Sequence, residues 1–261
     1  MHKTKECPLI RTLQSHSINI ESQLMKYTYS SSTINAGSNA KTVKGDKEYV
    51  TAVMYLAPFT LSGFNVCAMA ETAKCHEPCL NLSGRGKFTS IQNARIAKTQ
   101  RFFKQRKQFM EDLHKDIQRF VNWCKKRDVK PAVRLNGTSD IRWEAFKHND
   151  KNVFENFPEV QFYDYTKISN RKTKDIKNYH LTWSYSEADM KYAAKYKEAL
   201  SQGMNVAVVF RSVDIIPKKF LGVTVIDGDK DDLRFLDKKN RVVSLYAKGP
   251  AKKDQSGFVI G

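Results

Sequence analysis

No apolar run in this chain approaches the about eighteen residues that a membrane-spanning helix needs. The N-terminal MHKTKECPLIRTLQSH has basic residues but no apolar segment after them, so it lacks the core of a secretion signal. Cysteine is scarce and odd in number, five in 261 residues. That count argues against a disulfide framework and leaves metal binding or free thiols. Together these absences predict an intracellular protein that does not enter a membrane. Acidic residues are short as well: 27 Asp and Glu stand against 45 Lys and Arg, a formal net charge of +18. So positive a surface attracts polyanions by counterion release, which makes nucleic acid the expected partner. An anionic membrane surface comes second, and a merely basic soluble protein is the plain alternative.

Against that background the stretch SGFNVCAMAETAKCHEPCLNL, residues 62–82, stands out, because it gathers Cys67, Cys75, His76 and Cys79 within thirteen positions. Thiolates on a short flexible loop can converge on one soft cation, so these four residues are the candidate metal ligands. For His76 the alternative is an exposed loop residue. Cys124 falls on the apolar face of a helical pattern and is expected to be buried, and Cys7 receives no role.

Taken in order, residues 1–48 read as a mobile or loosely docked extension, with weak helical periodicity at Leu9, Leu13, Ile20 and Leu24 and then a Ser-, Asn-, Gly- and Lys-rich run. The compact domain is expected over 49–261. Tyr49–Thr60 is an apolar, β-branched run suited to a buried strand. Gly84-Arg85-Gly86 follows the cysteine loop, and a helix is predicted from about Phe88 to Arg127, long enough that a break is expected. Its polar face carries Arg95, Lys98, Arg101 and Lys104 with few acids at i+4. With Arg85 these form the candidate nucleic-acid surface, the alternative being a solvated helix face.

Further strands are predicted at Pro131–Leu135, Gln161–Tyr165, Tyr179–Trp183, Asn205–Phe210 and Gly222–Ile226, with Val242–Tyr246 and Phe258–Ile260 as additions. A helix is predicted from Ser186, as N-cap, to Ser201, with Gly203 as its stop. Near-continuous apolar strands alternating with helical segments mean an α/β fold. The strand count points to a complete or partial (βα) TIM-like barrel with the cysteine-rich loop after its first strand. In such a barrel the working residues sit at the carboxyl ends of the strands. Those positions hold Asn136, Thr138, Ser139 and Asp140, then Asp164, Thr166 and Lys167, then Ser184 and Glu187, Arg211 and Asp214, and finally Asp227, Asp229, Asp231 and Asp232.

The segments CHEPCLNLSGRG, RLNGTSDIRWE, YDYTK, NYHLTWSYSE, VAVVF, VIDGDKDDLRFLD and AKGPAKKDQSGF resemble a family of phage and prophage proteins of unassigned function, over about Leu56 to Gly261. The resemblance implies a phage origin, hence the cytoplasm of an infected bacterial host, and a distant TIM-barrel relationship to two enzyme groups. One is the radical S-adenosylmethionine enzymes, which also place a cysteine loop after the first strand and hold a four-iron cluster on C-x3-C-x2-C. Here the spacing is C-x7-C-x3-C. The other is the guanine transglycosylases, whose phage branch exchanges guanine in DNA for a 7-deazaguanine. Those enzymes also use strand-end aspartates and a cysteine-rich zinc site, but their zinc cysteines come late in the chain.

Base exchange needs one carboxylate at the sugar C1′ and a second acid or base for the leaving purine, with the target base flipped into a pocket. Asp140, Asp164 and Asp227 are the candidate catalytic residues, since each follows a buried strand directly. Asn136, Thr138, Ser139, Tyr165 and Lys167 are the candidate substrate-binding residues, with Tyr163 or Trp183 as further stacking surfaces. The alternatives are a turn or N-cap role for Asp140 and a tight turn at Asp227-Gly228-Asp229. Three functions are therefore expected in competition. The first is a nucleic-acid-modifying enzyme, in its most specific form a DNA guanine transglycosylase with structural zinc, acting on DNA rather than RNA. The second is an iron–sulphur enzyme using S-adenosylmethionine, and the third is a non-enzymatic nucleic-acid-binding protein with zinc.

Overall fold

The computed structural model describes residues 28–37 and 48–261. The periodicity at Leu9, Leu13, Ile20 and Leu24, and Cys7, lie outside the described residues. Seven parallel strands form the centre of the sheet: β3 (Tyr49–Val53), β4 (Lys130–Arg134), β7 (Gln161–Thr166), β8 (Tyr179–Ser184), β9 (Asn205–Phe210), β12 (Val242–Tyr246) and β11 (Val223–Asp227), in that spatial order. The expected strands all form, most within a residue of their expected ends, but the first, expected over Tyr49–Thr60, stops at Val53. Their continuous apolar character follows from burial on both faces.

The expected barrel does not form. The path of the sheet runs from β1 (Tyr29–Ser30) and β2 (Asn35–Ala36) at one edge to β10 (Lys219–Phe220) at the other, and these edges do not pair with each other. Both edges are antiparallel: β2 pairs with β3 and β10 with β11. The chain also reverses its march, because β12 inserts between β9 and β11, and β13 (Val259–Ile260) pairs with β9 off the main path. The result is one eleven-stranded, open, mixed sheet. A ring of crossover helices is absent too: β7 and β8 are joined by a loop, and β11 and β12 by a loop with a single 3-10 turn, Arg234–Leu236. A separate hairpin, β5 (Lys147–His148) with β6 (Lys151–Asn152), and the one-turn helix α3 (Val153–Asn156) fill the connection from β4 to β7.

The long basic helix is broken as expected, into α1 (Thr89–Lys104) and α2 (Arg106–Lys125), at Gln105 with φ −130° and ψ 46°. Arg106 Nε donates to the Phe102 carbonyl at 2.7 Å and its guanidinium stacks 4.0 Å over the Phe102 ring, so one side chain serves the exposed end of α1. The apolar residues Phe102, Phe109, Leu113, Ile117, Phe120 and Cys124 pack in one core with Val50, Ala52, Val133, Phe162, Leu181 and Val206. The alternate strand positions face the other way, where Phe235 packs on Tyr49 and Tyr163. The helix expected from Ser186 starts later: Asp189 caps α4 (Met190–Ala193), α5 (Tyr196–Ser201) follows, and Gly203, at φ +83°, ends the run.

Residues 28–37 join the sheet through β2 and are pinned to α2 by one carboxylate. Asp116 Oδ2 accepts from Ser32 Oγ (2.8 Å), Thr33 N (2.9 Å) and Thr33 Oγ1 (2.8 Å), and Tyr29 OH donates to the Asp116 carbonyl at 3.0 Å. Truncation to alanine would leave the buried Thr33 donors unpaired. Asp116→Ala should cost about 3 kcal/mol in urea denaturation and expose 28–37 to protease while helical circular dichroism persists; a loss under about 0.5 kcal/mol would show that the carboxylate is not the anchor.

Candidate functional site at the carboxyl edge of the sheet

The loops leaving β3, β4, β7 and β8 meet at the carboxyl edge of the sheet. Gly137 allows the β4 exit to lie against the β3 exit, since a Cβ there would fall 2.6 Å from Val53 Cγ1 and 2.7 Å from the Met54 carbonyl. The cysteine loop is tied down at two points: Asp140 N donates to the Val66 carbonyl at 2.8 Å, and Ser186 Oγ to the Ala73 carbonyl at 2.9 Å. This placement brings Cys67, Cys75 and Cys79 within electrostatic reach of one another, with Asp140 and Lys167 beside them.

The three sulphurs are partly buried and free. Cys67 Sγ accepts the Phe59 N–H at 3.4 Å and lies 3.9 Å from the Thr138 carbonyl, while Cys79 Sγ accepts the Asn81 N–H at 3.5 Å. Burial pushes the Cys67 thiol up to about 12 and raises those of Cys75 and Cys79. His76 stands next to them with Nδ1 3.2 Å from the Ala70 carbonyl and Nε2 3.8 Å from Glu77. Among the described residues no group of three or more His, Cys, Asp and Glu is arranged to hold a single metal ion.

Lys167 closes the site from the β7 side. Its Nζ donates to Ser184 Oγ at 2.7 Å and to the Ser184 carbonyl at 3.3 Å, and lies 4.3 Å over the Phe258 ring. Burial lowers its pKa, and the thiols and Asp140 pull the other way. Asp140 itself accepts from Thr166 Oγ1 (2.8 Å), Lys167 N (2.7 Å) and Arg171 Nη1 (3.3 Å). Asp164 Oδ1 accepts Asn136 N at 2.9 Å, and Tyr179 OH donates to Oδ2 at 3.2 Å. Both candidate aspartates at this edge are therefore buried and hydrogen-bonded within the protein. Asp227 is elsewhere and exposed, accepting Asp229 N at 2.8 Å in a tight turn while Asp229 pairs with Lys248.

The other candidates divide in the same way. Asn136 is an internal hub, since its Oδ1 accepts from Ser139 Oγ, Ile141 N and Trp143 Nε1, and Thr138 Oγ1 donates to the Leu56 carbonyl. Tyr165 faces the opposite side of the sheet, under the Arg134 guanidinium 5.2 Å from its ring, with its hydroxyl buried and unpartnered among the described residues. On the basic helix, Arg95 donates to Asn81 Oδ1, Lys98 to the Thr33 carbonyl (3.0 Å) and Arg101 to Asp112 (2.7 Å). Only Arg85 and Lys104 of those five are exposed. Sequence reasoning missed Arg171, which is buried and bridges Asp140 to Glu144 and Tyr179; an arginine five positions beyond a β-strand gives no signal without its partners.

The gene product 88 profile matches residues 28–261. The chain belongs to that family. It is a phage-type family, in agreement with the expected phage origin, and the match reaches back to include the β1–β2 hairpin. No curated protein and no solved structure matches the chain. No helix among the described residues is long and apolar enough to cross a membrane.

Burial raises the Asp164 carboxyl to about 7, against the Arg134 guanidinium 4.0 Å away. An acid whose folded pKa lies above its unfolded value binds more protons in the folded state. Its contribution to stability is fullest below about 4 and is lost as pH rises through about 7. Wild-type stability minus that of Asp164→Asn, from urea denaturation, should fall by a few kcal/mol across that window; a difference flat with pH would contradict the raised pKa.

Proposed function

We propose that this gene product 88 protein is an iron–sulphur enzyme of the S-adenosylmethionine radical type, acting on a nucleic acid or its nucleotides. The observation that carries the reading is the convergence of Cys67, Cys75 and Cys79 beside the half-buried Lys167 at the carboxyl edge of a parallel sheet. A four-iron cluster is larger than one ion, so it suits three thiols that interact without forming a single-ion site. Bound there, such a cluster would supply one-electron chemistry to a cofactor at its open iron.

The chain's own residues suit that role. Backbone N–H groups of Phe59 and Asn81 already point at two of the sulphurs, and hydrogen bonds of this kind favour thiolate and tune a cluster's potential. Among the described residues the half-buried Lys167 ammonium contacts Ser184 and the Phe258 ring without an ion pair, and a largely desolvated cation without an anionic contact is costly. Three thiolates would supply the missing charge. Asp140 and Asp164, two of the three aspartates that base exchange would use, are engaged in holding the loops in place. The net charge of +18 supports a polyanionic substrate.

Protein purified without oxygen should be brown and contain about four irons with matching sulphide. Cys67→Ala, Cys75→Ala and Cys79→Ala should each lower iron to near zero, and Cys124→Ala, a core position on α2, should leave it unchanged. A colourless protein with one zinc would overturn the proposal and put DNA guanine exchange, with guanine release as the assay, in its place.

A further inference from the structure

A second concavity lies at the opposite end of the same strands. It is a cleft of about 510 Å³ at the amino ends of β7 and β8, bordered by the turn after α5. That volume falls within the about 300–1,000 Å³ of small-molecule sites. Its wall includes Lys174, Lys177 and Lys239, and none of these three makes an ion pair among the described residues. The one acid of the β7–β8 loop, Asp175, is not on that wall. Three cations converging on a concave surface, with no protein anion to meet them, ask for an anionic ligand.

The rest of the lining mixes polar residues such as Gln161, Thr173 and Asn240 with the half-buried ring of Phe235, which is held edge-on to Tyr49 and tilted against Tyr163, so that its plane is fixed. His180 belongs to the same wall, although its Nε2 is buried away from the solvent and has no hydrogen-bond partner among the described residues. Burial and the nearby Arg234 and Lys239 lower its pKa to about 4, so at neutral pH it is an uncharged ring. Phosphate-seeking cations next to a fixed aromatic ring form a combination that neither a bare phosphate nor a purely apolar molecule would match.

We propose that this cleft binds a phosphorylated nucleoside, with the phosphate at Lys174, Lys177 and Lys239 and the base against Phe235. The cleft is at the far end of β7 and β8 from the thiols, so the bound nucleotide is not the reacting group. It is either a free nucleotide acting as an effector or one residue of a strand that continues across the protein. The inference stands independently of the iron–sulphur reading.

Calorimetric titration of the full chain at low salt, with adenosine and guanosine monophosphates, the parent nucleosides, inorganic phosphate and a short single-stranded oligonucleotide, tests it. At least one monophosphate should bind, with its nucleoside and free phosphate about tenfold weaker or more. The triple variant Lys174→Glu/Lys177→Glu/Lys239→Glu should lose about a hundredfold, and Phe235→Ala should weaken the nucleotide without changing phosphate binding. All three lysines are on the surface, so the triple variant should keep its circular dichroism and melting temperature. An oligonucleotide that binds more than about tenfold tighter than the monophosphate would identify the strand as the source. Absence of monophosphate binding, equal affinity of the triple variant, or equal affinity for nucleoside and nucleotide would overturn the proposal.

Discussion

The Asp140 carboxylate sits where three loops meet. Its own backbone N–H holds the cysteine loop at Val66, one oxygen takes the Thr166 hydroxyl and the Arg171 guanidinium, and the other takes the Lys167 N–H. Burial raises its pKa, and Arg171, Lys167 and Thr166 oppose that rise. The exits of β3, β4 and β7 are fastened to one another through this residue, and the position of the three thiols relative to Lys167 depends on it. Arg171 extends the brace to Glu144 and Tyr179, and Tyr179 reaches Asp164, so the carboxyl edge is one connected polar network. In such a network each member is worth more than its pairwise contacts, because losing one leaves several buried groups unpaired.

The same logic governs the protein's excess of positive charge. Several cations that look in sequence like a phosphate-facing surface are used internally: Arg95 on Asn81 and over the Tyr55 ring, Lys98 on the Thr33 carbonyl, and Arg106 over Phe102. Exposed cations are found elsewhere, among them Arg85, Lys104 and the lysines of the cleft at the other end of the sheet. The fold thus sets three thiols at the carboxyl edge apart from a cluster of exposed lysines at the amino edge.

Strands were legible in the sequence because burial on both faces gives runs such as NVAVVF a continuous apolar character, and the observed β9 has the expected bounds, Asn205–Phe210. That the long helix breaks was legible from its length, but the place of the break, at Gln105, was not. Closure of the sheet was not, because it depends on which strands neighbour each other: β12 slots between β9 and β11, and no local pattern in VVSLY records that. The cysteine loop, Asp140 and Lys167 were picked out by their position after buried strands, and the structure does bring them together. Asp227 satisfied the same rule and lies in an exposed turn, so position after a strand is insufficient when the strand is near a sheet edge. Arg171 and the partners of Lys98 and Arg95 come from distant segments, which is the information a single sequence carries least directly.

The most direct test is a crystal structure of protein prepared without oxygen, with anomalous scattering collected at the iron edge. A single iron-rich peak bonded to Cys67, Cys75 and Cys79, with the Lys167 ammonium beside it, is the expected result. Sulphurs turned away from one another with no iron peak, or one zinc ion held by the loop, would contradict the account.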